Sequence, residues 1–125
     1  MATHTITVSW SRAGEAVSNS VATTASGEVT IDEDVAANQT NFQINCAIDV
    51  SALKSLMIVA DEACTVETNN GTTPDDTLTL LADTPLFWYT GCGHDNPLTV
   101  DVTALYVTNT TACNLQVYAL QDATP

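Results

Sequence analysis

From Phe42 to Val50 the chain alternates without a break: Phe42, Ile44, Cys46, Ile48 and Val50 fall on one side, Gln43, Asn45, Ala47 and Asp49 on the other. A period of two is the signature of a strand that buries one face, and no helix can sort these residues that way. The same period recurs in Ile6, Val8 and Trp10, which are separated by Thr7 and Ser9 and read as a half-buried strand. Further strands are expected around Val17 to Thr24, Val29 to Val35, Thr65 to Thr68, Thr77 to Ala82, Leu86 to Tyr89, Leu105 to Thr108 and Leu115 to Leu120. Leu56 to Ala60 is continuously apolar, as a central strand would be. Helical periodicity is nearly absent; Ser51 to Lys54 and Val102 to Ala104 have room for a single turn each.

About eight to ten short strands separated by turn signals define an all-β chain: an antiparallel two-sheet sandwich, jelly-roll-like. The strongest turn signal is Asn69-Asn70-Gly71, extended by Pro74-Asp75-Asp76. The 125 residues form one expected domain, 1–125, with 1–12 as an arm or edge strand. Phe42, Ile44, Ile48, Leu56, Ile58, Leu80, Leu105, Val107, Val117 and Leu120 are its expected core.

Charge narrows the function. Fifteen acids stand against two bases, Arg12 and Lys54, for a formal charge of −13. Nucleic-acid binding needs Lys and Arg to displace counterions from phosphates, and anionic lipid makes the same demand. Neither partner is expected. A Gly-rich phosphate loop with its Lys is also missing from the sequence. The acids then serve solubility or meet a basic protein partner. Met1 to Trp10 lacks the pattern of a signal peptide, so synthesis in a cytoplasm is expected, with Cys46, Cys64, Cys92 and Cys113 as thiols.

Cys92-Gly93-His94-Asp95 is the cluster that most resembles a chemical site. A closed zinc site needs four ligands, and no second paired motif supplies them. A Cys–His nucleophile would need oxyanion donors that this loop does not offer. Asp32-Glu33-Asp34 lacks the glycine and spacing of a calcium loop and reads as a solvated acidic run. No catalytic residue, metal ligand or cofactor is expected. In Leu86-Phe87-Trp88-Tyr89, alternation must turn either Trp88 or the pair Phe87 and Tyr89 outward. With Trp10, these rings are the candidate interface.

One internal echo stands out. Asp49-Val50-Ser51-Ala52-Leu53 resembles Asp101-Val102-Thr103-Ala104-Leu105, and the ungapped alignment that follows sets Cys64 on Cys113. The echo is either a recurrent Thr-rich corner or a pair of equivalent hairpins. If the hairpins are neighbours, Cys64 and Cys113 lie near one another, and a disulfide would require Cα atoms within about 7 Å.

The segments Asp-Val-Ser-Ala-Leu-Lys-Ser-Leu-Met from Asp49, Thr-Val-Glu-Thr-Asn-Asn-Gly from Thr65, Thr-Pro-Asp-Asp-Thr-Leu from Thr73, Asp-Val-Thr-Ala-Leu-Tyr-Val-Thr-Asn from Asp101 and the final Gln-Asp-Ala-Thr-Pro resemble small virion proteins of tailed bacteriophages. The likeness is to the head decoration, or cement, proteins. It implies a non-enzymatic structural protein on the capsid exterior, bound to the major capsid protein, acting as a homo-oligomer (trimer or dimer) and bridging capsid subunits. The cysteines are not part of that pattern. The alternative is a tail- or fibre-associated β module or surface adhesin binding a host receptor.

Overall fold

The computed structural model describes residues 1–122; Ala123, Thr124 and Pro125, the end of the C-terminal motif, lie outside them. Ten strands are present among the described residues: β1 (Ala2–Arg12), β2 (Glu15–Ala25), β3 (Gly27–Val35), β4 (Phe42–Ile48), β5 (Leu53–Ala60), β6 (Cys64–Thr68), β7 (Thr77–Leu80), β8 (Leu86–Tyr89), β9 (Val102–Thr108) and β10 (Cys113–Gln121). A 3-10 turn, Val50–Ala52, precedes β5. Asp49 caps it by accepting from the Ser51 backbone N–H at 3.0 Å. Val102–Ala104, where a turn is also possible, is instead the start of β9. There Thr103 is held by Asn69 rather than by a local cap.

Strands β3 to β10 make two four-stranded antiparallel sheets, ordered β3-β10-β5-β8 and β4-β9-β6-β7. Among these eight strands only β6 and β7 are consecutive neighbours in one sheet; every other connection crosses to the opposite sheet. That strand order is the jelly roll, two interlocked Greek keys. The in-sheet hairpin turns through Asn69-Asn70-Gly71, with Asn69 in the left-handed region at φ 68°.

The core is the alternating set: Ile44, Cys46 and Ile48 from β4, Leu56 and Ile58 from β5, Val66 from β6, Leu78 and Leu80 from β7, Leu105 and Val107 from β9, and Leu115 and Val117 from β10. Phe42 packs against it from the rim. Leu120 departs from expectation. It is buried, but it falls in the phase of Gln116 and Tyr118, on the outer side of its sheet and apart from the inter-sheet cluster.

The echo also resolves differently from a pair of hairpins. β5 and β6 lie in different sheets, and so do β9 and β10, so each repeat is an arch that steps from one sheet to the other. The arches clasp antiparallel: Leu115 lies opposite Ala60 in one sheet and Val66 opposite Val107 in the other. Their corners are tied by Asp61 Oδ1, which accepts from the Asn114 N–H at 2.8 Å.

Removing methyl groups from this core should leave cavities. Ile44→Ala and Ile58→Ala are each expected to lower unfolding free energy by about 2–4 kcal/mol in a denaturant titration. Trp10→Ser, at a side chain outside the core, should change it by less than about 0.5 kcal/mol.

Candidate interaction surface

β1 and β2 belong to neither sheet. They pair along their whole length, from Ala2 opposite Ala25 to Arg12 opposite Glu15, as a separate two-stranded arm. The arm therefore runs to Ala25, beyond the first strand. It joins the sandwich at Gly27, where a Cβ would stand 2.8 Å from the Gln121 carbonyl oxygen. His4 at the arm's base bonds Glu28 through its Nε2 and sets its ring edge-on to Tyr118.

Alternation gives the arm two unlike faces. One carries Thr3, Thr5, Thr7 and Ser9 with Ser18, Ser20 and Thr24, and hydroxyls bond across it: Thr3 to Thr24 and Thr7 to Ser20, both at 2.8 Å. The other carries His4, Ile6, Val8 and Trp10, with Val17 and Val21 opposite Trp10 and Ile6. Near the base this second face is half-buried. Toward the tip it is open, with Val8 at 41%, Val17 at 69% and Trp10 at 73% exposure. The period that reads as a half-buried strand is present in Ile6, Val8 and Trp10, but the sandwich covers only its first part.

Opposite this face lies the outer side of the β3-β10-β5-β8 sheet. Tyr118, Met57 and Phe87 are cross-strand neighbours there. Together with Pro85 and the arm residues Thr3 to Ser9 they line an open groove of about 690 Å³ that contains no carboxylate. Ser55 also lines the groove; it is 1% exposed, and its hydroxyl has no hydrogen-bond partner among the described residues. Leu86 and Trp88 pack on the inner core, and the Trp88 indole donates to the His94 carbonyl at 3.1 Å. Phe87 and Tyr89 thus occupy the opposite phase. Of the four expected interface rings, Trp10 and Phe87 border the arm and groove, Tyr89 lies beyond them on the same side of β8, and Trp88 faces inward. Met57, Tyr118, Val8, Val17 and Ser55 were not anticipated. Their signal is the apolar residue in both phases of β5, which implies that both faces of that strand are covered.

The charge is segregated. Arg12 and Glu15 pair at the arm's tip at 2.7 Å and cancel, so the whole of the −13 falls on residues 28–125. β3, an edge strand, turns Glu28, Asp32 and Asp34 outward, and Asn114 Nδ2 donates to both Asp32 and Asp34, at 2.6 and 3.0 Å.

The remaining motifs form local contacts. In the Cys92 loop the His94 N–H points to Cys92 Sγ at 3.5 Å, and the imidazole packs edge-on against Phe87. Among the described residues no three His, Cys, Asp or Glu side chains converge as a metal site. At the other end, Asn69 Oδ1 accepts from the Thr103 N–H at 2.7 Å, and its amide donates to Asp75 and to the Asp101 carbonyl. Asp76 accepts from the Thr99 N–H and hydroxyl, and its own N–H donates to the buried Thr68 hydroxyl.

The arches bring Cys64 and Cys113 near enough to interact, both buried as free cysteines. Burial, then the neighbouring Cys113, then Asp61 push the Cys64 thiol up to about 12; burial alone lifts Cys46 to about 11.

No family model, curated protein or solved structure matches this chain.

Three expectations concern the thiols and the Asn69 turn. Cys92, the half-exposed thiol, should react with a disulfide reagent in the native protein, while Cys46, Cys64 and Cys113 react only on unfolding. Because the folded state keeps Cys46 and Cys64 protonated above the ordinary thiol value near 9, their stabilisation should be complete below that pH and lost as pH rises through about 11 for Cys46 and about 12 for Cys64. A Cys46→Val, Cys64→Val variant should show a shallower alkaline decline in denaturant titrations. Asn69→Ala removes the partner of the Thr103 N–H from a left-handed position and should destabilise by about 1–3 kcal/mol in the same assay.

Proposed function

We propose that this chain is a structural virion protein that decorates an icosahedral phage capsid and stabilises it by bridging neighbouring capsid subunits. The carrying observation is the charge layout: a stiff jelly roll that holds the entire net charge of −13 and has an edge strand with three outward carboxylates. Such a surface suits a basic partner patch. The likeness of the segments from Asp49 to Asp122 to phage head decoration proteins supplies the kind of partner, the major capsid protein. In the fold those segments join strands to corners: the Asp49 cap, the Asn69 turn, and the Asp76 and Asp101 contacts. Corners that fix a rigid outline are what a clamp requires. A shell repeats the same site many times, so modest contacts add up through bridging.

Purified protein should rebind to capsids stripped of it, with occupancy falling across a salt series as the screening length shrinks to about 3 Å near 1 M. Capsids that bind their other outer proteins but never this one, at any salt, would overturn the assignment. Saturation insensitive to salt would remove the electrostatic mechanism.

A further inference from the structure

We infer that the arm is a self-association device: the apolar tip of one copy's β1–β2 hairpin seats in the groove between the arm and sheet of a second copy. The inference stands on the arm and groove and does not require the capsid assignment.

Charge identifies the occupant. Two copies of a chain carrying −13 repel wherever their sandwiches meet. The arm is the exception, because Arg12 and Glu15 cancel and residues 16–27 contain no charged side chain. The groove matches it: no carboxylate lines it, and its far wall is Met57, Phe87 and Pro85. A second copy can therefore bring an uncharged apolar strand pair into an uncharged apolar slot while the acidic edges stay apart.

Shape points the same way. Trp10 and Val17 continue the very face whose proximal part meets Tyr118 near the arm's base, yet at the tip they stay 73% and 69% exposed. Beneath the groove, the buried Ser55 hydroxyl has no hydrogen-bond partner among the described residues. An entering Trp10 offers a flat ring and an indole N–H, the combination enriched at the centres of interfaces. The exchange is reciprocal in a twofold dimer and cyclic in a ring, and either arrangement closes without free arms.

Sedimentation of the full chain over a concentration series is the test. The wild type should associate, and more strongly at high salt because screening relieves repulsion, the opposite sign to a contact with basic capsid patches. Tryptophan emission should shift to the blue with concentration as Trp10 is covered. Trp10→Ser, at an exposed position that leaves the fold intact, should weaken association by about tenfold or more. Phe87→Ser, checked for an unchanged unfolding transition, should do the same from the groove side. Mixing the two variants should restore mixed oligomers, since each keeps the half the other lacks. Tip-to-tip contact would give no such rescue and would overturn the proposal. So would a monomer at all concentrations, which would leave the groove to a different protein, or association indifferent to Trp10→Ser.

Discussion

The fold depends on two arches closing around one apolar seam. β5 pairs with β10 in one sheet while β6 pairs with β9 in the other, so four of the eight sandwich strands are fixed by a single mutual clasp. Leu56, Ile58, Leu115 and Val117 from one sheet then face Val66, Leu105 and Val107 from the other, all within one hydrophobic cluster. Burial at roughly 25 cal/mol per Å² makes that seam the main favourable term. It is stable only because the corners leave few polar groups stranded. Asp61 serves the Asn114 N–H at one end; Thr68 and Asp76 serve each other at the other. The edge strands β3, β4, β7 and β8 complete the sheets around that clasp.

Alternation made the strands and most of the core legible, because a period of two states which side chains share a face. It does not state which strand lies alongside. Asp49 to Val66 and Asp101 to Leu115 could be recognised as equivalent, yet a polar corner such as Asp61-Glu62-Ala63 looks the same in an arch as in a hairpin. The difference arises from what the apolar faces meet after the turn, and that is a tertiary fact. The same limit left Phe87-Trp88-Tyr89 undecided. Trp88 goes inward because Leu86 shares its phase and pairs with Ile58 in the core-facing register. The arm misled in another way: Ile6, Val8 and Trp10 carry a core strand's pattern without a core to enter at the tip. The corrective signal, the charge-free run after Glu15, is compositional and says nothing about periodicity.

That run matters because the rest of the chain is so acidic. Carboxylates at neutral pH repel over about a Debye length, some 8 Å at physiological salt, which spans the gap between surfaces in contact. An edge strand such as β3 gains protection from this, since Glu28, Asp32 and Asp34 discourage other strands from adding to its open backbone. The same repulsion opposes association of two copies through their sandwiches. Confining neutrality to the β1–β2 hairpin leaves that part of the surface outside the repulsion.

The outer face of the β3-β10-β5-β8 sheet shows why such an arm must exist. A sheet in a two-layer sandwich usually turns polar residues outward, and Gln116 on β10 follows that rule. Tyr118, Leu120, Met57 and Phe87 break it, forming a second apolar surface that water would otherwise meet. The arm's base covers one end of that surface, burying Leu120 and Ala25 completely and half-covering His4 and Tyr118. The cover then stops short, because the hairpin leans over the remaining rings as an open groove and leaves its own Trp10 and Val17 exposed beyond them. An apolar sheet face, an apolar hairpin face and a gap between them are complementary parts that one copy does not bring fully together. The two sheets of the jelly roll close on each other within the chain, whereas the outer layer of the arm-bearing sheet leaves an open gap between two apolar faces.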